Sequence, residues 1–155
     1  GVLSAFRSRY DEHMLDKTRA YPGIDDLLRD LGARGVPIAV LSNKHEPATR
    51  KIVDALFGRC SFVDVAGQME DVPKKPDPQR ALAIAQRMRV QASECLFVGD
   101  SGVDMQTGKN SGMGPVGVLW GFRQRKELEE NGAEVCLHAP AELLSWLELA
   151  RVAVP

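Results

Sequence analysis

Asp100 and Asp104 stand four residues apart in Gly99-Asp100-Ser101-Gly102-Val103-Asp104. On a helix start that spacing puts both carboxylates on one face. Clustered hard oxygens of this kind suit Mg2+, which keeps its own waters and takes only one or two protein carboxylates. The same pair also reads as an N-cap Asp and a first-turn Asp favoured by the helix dipole. Lys75 lies in Lys74-Lys75-Pro76-Asp77-Pro78. The two prolines stiffen that segment and fix the point from which the ammonium projects. A held ammonium can neutralise a phosphate or a group of carboxylates, and a solvated charged loop is the plainer alternative. Ser42-Asn43-Lys44 is the third place. Its hydroxyl and successive backbone N–H groups can hold an anion such as phosphate, or simply form a turn that caps the next helix.

What positions these groups is an alternation of apolar runs and helical stripes. Ile24, Leu27, Leu28 and Leu31 fall at i, i+3, i+4 and i+7, the mark of an amphipathic helix, after a break at Tyr21-Pro22-Gly23. Val36 to Leu41 is a continuous apolar run too short for a helix. It predicts a strand buried on both faces, as in parallel sheets, ended by Ser42-Asn43. A helix is predicted from about Glu46 to Leu56 and a weaker strand over Phe62–Val65. Asp77-Pro78 predicts a helix start, with Asp as N-cap and Pro at the first helical position. Cys95–Val98 is the clearest strand, and a short polar helix follows it to about Ser111, ended by Gly112 and Gly114. Further strands are predicted at Val116–Leu119 and Glu134–Leu137, with helices from about Arg123 and after Pro140. Such repetition predicts an α/β fold, doubly wound about a mostly parallel sheet. Ligands in such sheets sit outside the carboxyl ends of the strands, which is where all three polar groups fall.

Composition narrows the class. The chain has 155 residues, 44% hydrophobic and 26% charged, enough for one domain with its own core. Twenty Lys and Arg against 21 Asp and Glu give a net charge of −1, so bulk charge supports neither a nucleic-acid nor a membrane partner. Cys60, Cys95 and Cys136 are odd in number and widely spaced, which excludes a disulfide framework and makes a reducing cytoplasm the expectation. His13, His45 and His138 lack metal-ligand spacing and read as structural, with His45 a candidate substrate contact because it follows Ser42. Trp120 and Trp146 read as core. Arg123 suits either a substrate anion or an exposed helix start.

Taken in order, the three groups resemble the haloacid dehalogenase-like hydrolases, and most of all their phosphoglycolate phosphatase branch. In that family an apolar strand ends in a Ser or Thr that binds phosphate, matched by Ser42 in Val40-Leu41-Ser42-Asn43. A Lys in Lys-Pro-x-Pro grips the phosphoryl group and the nucleophile, matched by Lys75. A Gly-Asp-(Ser/Thr)-x-x-Asp turn supplies magnesium carboxylates, matched by Asp100 and Asp104. Trp120-Gly121-Phe122-Arg123 with Leu128 and Gly132-Ala133 is also similar to this branch. The resemblance covers about Tyr21 to Leu147. It implies a Mg2+-dependent hydrolase of a small phosphorylated metabolite, with Ser42, Asn43 and Lys75 on the phosphate and Asp100 and Asp104 on the metal. A phosphomutase or phosphonate hydrolase of the same superfamily is an alternative. A receiver domain uses similar residue types, but its Asp cluster precedes its hydroxyl and lysine.

One departure matters. The family begins with an apolar strand ending Asp-x-Asp, usually followed by Gly-Thr, whose first Asp attacks phosphorus. This sequence holds no such segment. Asp25-Asp26 opens a helix, Asp11 and Asp16 lie in a predicted first helix over residues 2–20, and Asp64 and Asp71 follow no comparable strand. The resemblance thus implies a core over residues 21–155 without its first strand, and residues 1–20 as the remnant of a helical cap. The first helix, with Leu3, Phe6, Tyr10 and Met14 on one side, is expected to pack loosely or on another chain. This chain is expected not to hydrolyse phosphate esters by itself, and a non-catalytic protein that binds phosphate or a partner is the alternative from another class.

Overall fold

The structure, a computed structural model, describes residues 19–121 and 123–153. The helix predicted over residues 2–20 falls almost wholly outside these. In chain order the elements are α1 (Ile24–Ala33), β1 (Ala39–His45), α2 (Glu46–Phe57), β2 (Asp64–Gln68), α3 (Gln79–Arg87), a 3-10 turn (Ala92–Glu94), β3 (Leu96–Gly99), α4 (Gly102–Ser111), β4 (Gly114–Val118), α5 (Arg125–Glu130), β5 (Val135–Leu137) and α6 (Ala141–Ala153). The expected strand–helix alternation is present, and every strand pair is parallel.

Local chemistry explains most boundaries. Gly23 precedes α1 with φ 91°, a left-handed conformation that glycine adopts without a Cβ penalty. Pro47 lies in the first turn of α2, where its missing N–H has no partner to lose. Gly112 ends α4 at φ 79°, with its N–H on the carbonyls of Gly108 and Lys109. Several expectations shift, and β2 spans Asp64–Gln68 instead of Phe62–Val65. β1 starts at Ala39 instead of Val36 and runs on through Ser42 to His45, because β2 follows it: His45 pairs with Gln68 after a register shift beyond Leu41. The N-cap of α3 is Pro78 and not Asp77, and the first helical residue is Gln79; Asp77, one residue further out, accepts the Gln79 N–H at 2.8 Å. Gly114 does not end α4; it opens β4.

The strands form two sheets, β1-β2 and β3-β4-β5. Side chains alternate across them with period two. Leu96 of β3 packs on the cluster of Leu27, Leu31, Val116, Leu137 and Leu143, which joins α1 and α6 on one face. Phe97 faces the cluster of Ala81, Ala85 and Met113 on the other, with Leu41 of β1. Trp120 and Trp146 pack against the first cluster, as core residues should. Among the described residues β1 pairs with β2 alone and β3 with β4 alone. A cavity of about 530 Å³ lies between them, lined by Ala39, Val40 and Leu41 from one edge and Leu96, Phe97 and Val98 from the other. Val98, a β-branched strand residue, is 42% exposed there. Among the described residues no helix is long and apolar enough to cross a membrane.

Candidate functional site

The carboxyl ends of β1 and β3 carry the polar residues singled out by sequence. At the end of β1 the half-buried Ser42 accepts the Lys44 N–H on its hydroxyl oxygen at 3.0 Å, which leaves its O–H free to donate. The irregular end of the strand is fixed from beneath. Thr49, buried in α2, donates its hydroxyl to the carbonyls of Lys44 and His45 at 3.0 and 3.1 Å. Gly67 of β2 lies so close that a Cβ there would stand 2.4 Å from the Cα of Glu46 and 2.7 Å from the Lys44 carbonyl oxygen. Arg80 of α3 donates to the Gly67 carbonyl and faces Glu46 at 3.7 Å.

The segment between β2 and α3 delivers Lys75. Its ammonium donates to Asp104 Oδ1 at 2.5 Å, and both side chains are 11% exposed. The same nitrogen lies 5.9 Å above the ring centroid of Phe97. A charge-assisted bond this short and dry fixes the direction of the ammonium. Lys74 lies exposed beside it. Asn43, expected on phosphate, instead turns both ends of its amide to the backbone of Lys75, accepting its N–H at 2.9 Å and donating to its carbonyl at 3.1 Å.

Asp104 belongs to the N-terminal turn of α4, capped by Ser101. Ser101 Oγ accepts the Asp104 N–H at 3.3 Å and donates to Asp104 Oδ2 at 3.1 Å. The Asp100 N–H also reaches Oδ2, at 3.2 Å. Both Asp104 oxygens are thus taken by protein donors. Gly99 makes room for that carboxylate, since a Cβ at position 99 would fall 2.4 Å from Oδ2.

Asp100 is placed differently. It follows β3 directly, is half-buried, and its carboxylate meets no hydrogen-bond or ion-pair partner among the described residues. Gly121 lies against it: a Cβ there would stand 2.3 Å from Asp100 Oδ2. An unpartnered carboxylate in a glycine-lined corner, with a second carboxylate close behind, fits a hard cation that takes few protein ligands. Asp100 is the oxygen donor that is open, and Asp104 reaches a cation only by giving up one of its present partners. No group of three His, Cys, Asp or Glu converges on a metal position among the described residues.

The structure therefore gathers Asn43, Lys75 and Asp104 into one bonded chain, with Ser42 beside Asn43 in sequence and Asp100 bonded through its N–H to Asp104. His45 N-caps α2 but takes part through its carbonyl, and Arg123 stands exposed on Glu127 at 3.3 Å. His138 lies apart, with Nε2 3.0 Å from Arg125. Sequence reasoning missed Gly121, Asn110 and Glu127. Asn110 donates to the Pro76 carbonyl at 3.0 Å, and Glu127 accepts the Gly102 N–H at 2.9 Å, tying α5 to the start of α4. Gly121 alone left a trace, inside a segment noticed for its likeness and not for any chemistry.

Comparison with known proteins places this arrangement. The family of haloacid dehalogenase-like hydrolases matches residues 2–112. Phosphoglycolate phosphatase of Escherichia coli (strain K12) is 31% identical over 144 residues, covering 93% of this chain and 57% of that protein. A crystal structure from Lactobacillus delbrueckii subsp. bulgaricus, described provisionally as a phosphoglycolate phosphatase, aligns with a TM-score of 0.86 at 35% identity over 94% of this chain and 61% of its own. CbbY from Rhodobacter sphaeroides, solved in complex with phosphate, aligns with a TM-score of 0.77 at 26% identity over 91% of this chain and 64% of its own. The chain thus spans 57–64% of the length of these relatives. The matched residues take in the strand ends with Ser42, Lys75, Asp100 and Asp104, and on that footing the chain belongs to the haloacid dehalogenase-like hydrolases.

Proposed function

We propose that this chain forms the phosphate-gripping part of a Mg2+-dependent phosphate-monoester hydrolase that acts on a small phosphorylated metabolite. The observation that carries the reading is the Lys75–Asp104 pair at 2.5 Å. It holds an ammonium on the first turn of the helix that follows β3, and the Asp100 carboxylate that ends β3 and the Ser42 hydroxyl near the end of β1 complete the set in this reading. Phosphoglycolate is the substrate class named by the relatives. In this reading residues 1–20 belong to a helical cap and residues 21–155 to the core, and the three free thiols fit a reducing cytoplasm.

An ammonium has three N–H donors. One is spent on Asp104, so two remain for a phosphoryl oxygen and for an attacking carboxylate. The Ser42 O–H donates to a second phosphoryl oxygen. A magnesium ion held by Asp100 supplies charge neutralisation when bound. These groups position and stabilise; none is placed to attack. The nucleophile of this reading is an aspartate on a strand outside the present sequence, seated in the apolar cavity between β1 and β3. Its carboxylate oxygen bonds to phosphorus as the ester P–O bond breaks, and the leaving alkoxide oxygen becomes an alcohol by taking a proton from water. Water then attacks the aspartyl-phosphate, releasing phosphate and restoring the carboxylate.

The test is a magnesium-dependent assay with p-nitrophenyl phosphate and phosphoglycolate, on this chain and on a form extended at its amino end by an Asp-x-Asp strand. Turnover by the extended form alone is the expected result. Equal turnover by the unextended chain, surviving further purification, places the nucleophile within it and overturns the scheme. Inactivity of both leaves a protein that binds phosphate without turnover.

A further inference from the structure

The peptide Lys75–Pro76 has three backbone groups able to hydrogen bond: the Lys75 N–H, the Lys75 carbonyl and the Pro76 carbonyl, since proline has no N–H. All three are satisfied by asparagine side chains. Asn43 accepts the first at 2.9 Å and donates to the second at 3.1 Å. Asn110 donates to the third at 3.0 Å. The two asparagines come from different halves of the fold, Asn43 from the end of β1 and Asn110 from the last turn of α4. The amide of Asn43 carries an acceptor and a donor side by side, which is what a residue gripping the N–H and the carbonyl of one amino acid requires. A carboxylate there keeps the acceptor and sets a negative oxygen against the carbonyl. Both asparagines are exposed and lie outside the apolar core, so their bonds compete with water and add little stability. What they do determine is where the Lys75 backbone stands, and hence from where its ammonium reaches Asp104.

We propose that Asn43 and Asn110 are positioning residues for Lys75, clamping its backbone from two halves of the molecule. Asn43 then acts on phosphate through Lys75 and not by touching it. The consequence for phosphate rests on the function proposed above; the clamp itself does not.

Two readouts separate these. The first is acetylation of Lys75 in this chain by a limiting amount of an N-hydroxysuccinimide ester, read by mass spectrometry against Lys109 and Lys126 as internal references. Asn43→Ala and Asn110→Ala each raise Lys75 labelling roughly five- to tenfold with the references unchanged, as the ammonium is freed from its buried pair. Asn43→Asp, which keeps only the acceptor, falls between. Unchanged Lys75 labelling in both alanine variants, with native near-ultraviolet circular dichroism, overturns the clamp. The second readout is inorganic phosphate binding with Mg2+ present, by calorimetry. Asn43→Ala weakens it several-fold when Lys75 is present and has no further effect in a Lys75→Ala background. A loss of equal size in both backgrounds puts Asn43 on the phosphate itself and overturns the positioning role. If Lys75→Ala leaves phosphate affinity unchanged, the proposed function fails while the labelling result still decides the clamp.

Discussion

Replacing Asp104 by alanine strands a buried ammonium. Lys75 and Asp104 are each 11% exposed, so neither is well solvated when the other is removed. Asp104 also accepts the Asp100 N–H and the Ser101 hydroxyl, which lose their acceptor at the same time. Breaking one side of a buried pair typically costs about 3–5 kcal/mol, most of it the penalty on the charge left behind. Lys75→Met is different. It keeps an apolar stem against Phe97 and leaves Asp104 with its two other donors, so about 1–2 kcal/mol is expected. The double variant leaves no orphan charge, and its cost falls short of the sum by about 2 kcal/mol. For a domain of ordinary stability, about 5–15 kcal/mol, Asp104→Ala alone removes a large share. In thermal melts that is a fall of about 10 °C at this chain length.

The assay is urea unfolding of the four proteins. Intrinsic fluorescence of Trp120 and Trp146 is the probe, since both pack on the main apolar cluster. Two results refute the reasoning. Single costs that add to within about 0.5 kcal/mol deny the coupling. An Asp104→Ala variant no less stable than Lys75→Met denies that a buried ammonium is what is left behind.

Gly121→Ala places a methyl 2.3 Å from Asp100 Oδ2 and must displace that carboxylate. Mg2+ affinity, read by Mn2+ competition, is expected to fall at least tenfold, and an unchanged affinity removes Asp100 from the metal. Thr49→Val deletes a buried hydroxyl shared between the carbonyls of Lys44 and His45, with an expected cost of about 1–2 kcal/mol in urea unfolding; a neutral result means the end of β1 is held by its ladder to β2 alone. Burial raises the pKa of the Cys95 thiol, helped by Glu94, and burial likewise raises that of Cys136, with Glu129 adding to it and Arg125 opposing. A raised pKa means less thiolate below the ordinary range, so iodoacetamide at pH 8 alkylates both more slowly in the native chain than in urea, and the rates converge only as pH climbs past the raised values. Equal native and unfolded rates at pH 8 contradict this.

The sequence made the punctuation of the fold legible. The i, i+3, i+4, i+7 stripe of α1 and the Gly112 stop are local signals, and local physics honours them, whereas the cap expected at Asp77 falls one residue later, on Pro78. The end of β1 was not legible, because its pairing partner is Gln68 and the close approach that allows it is a glycine, Gly67, on another strand. The same holds at the site. The spacing of Asp100 and Asp104 marks a helix start, but only Asp104 lies on the helix; Ser101 is the N-cap and Asp100 precedes it. The spacing does not say that one faces Lys75, from a loop 29 residues earlier, while the other faces Gly121. Asn43 was noticed for its place after Ser42, yet its amide is committed to a residue 32 positions away. Residue type and strand-end position can be read along a chain, whereas the partner of a side chain is a property of the folded surface.

Two sheets without a common ladder nonetheless hold one site, because the ties between them are helical and polar. On one face Leu27 and Leu31 of α1 pack with Leu143 of α6 and Val116 of β4, and Ile38, just before β1, joins them. On the other face Ala81 and Ala85 of α3 pack with Met113, drawing in Leu41 from β1 and Phe97 from β3. Above both, Asn43 from one half and Asp104 and Asn110 from the other meet on Lys75 and Pro76. None of these contacts uses the backbone hydrogen-bonding groups along the facing edges of β1 and β3, since all are made by side chains. A strand entering the cavity adds two ladders, each hydrogen bond worth about 1 kcal/mol net, together with apolar burial of side chains such as the exposed Val98. It need not create the corner in which Lys75 meets Asp104 and Asn43. Under the proposed function, binding and turnover are therefore separable: Ser42, Lys75 and Asp100 are held in place by contacts that lie within this chain, and in that proposal attack on phosphorus waits on a carboxylate that an incoming strand brings.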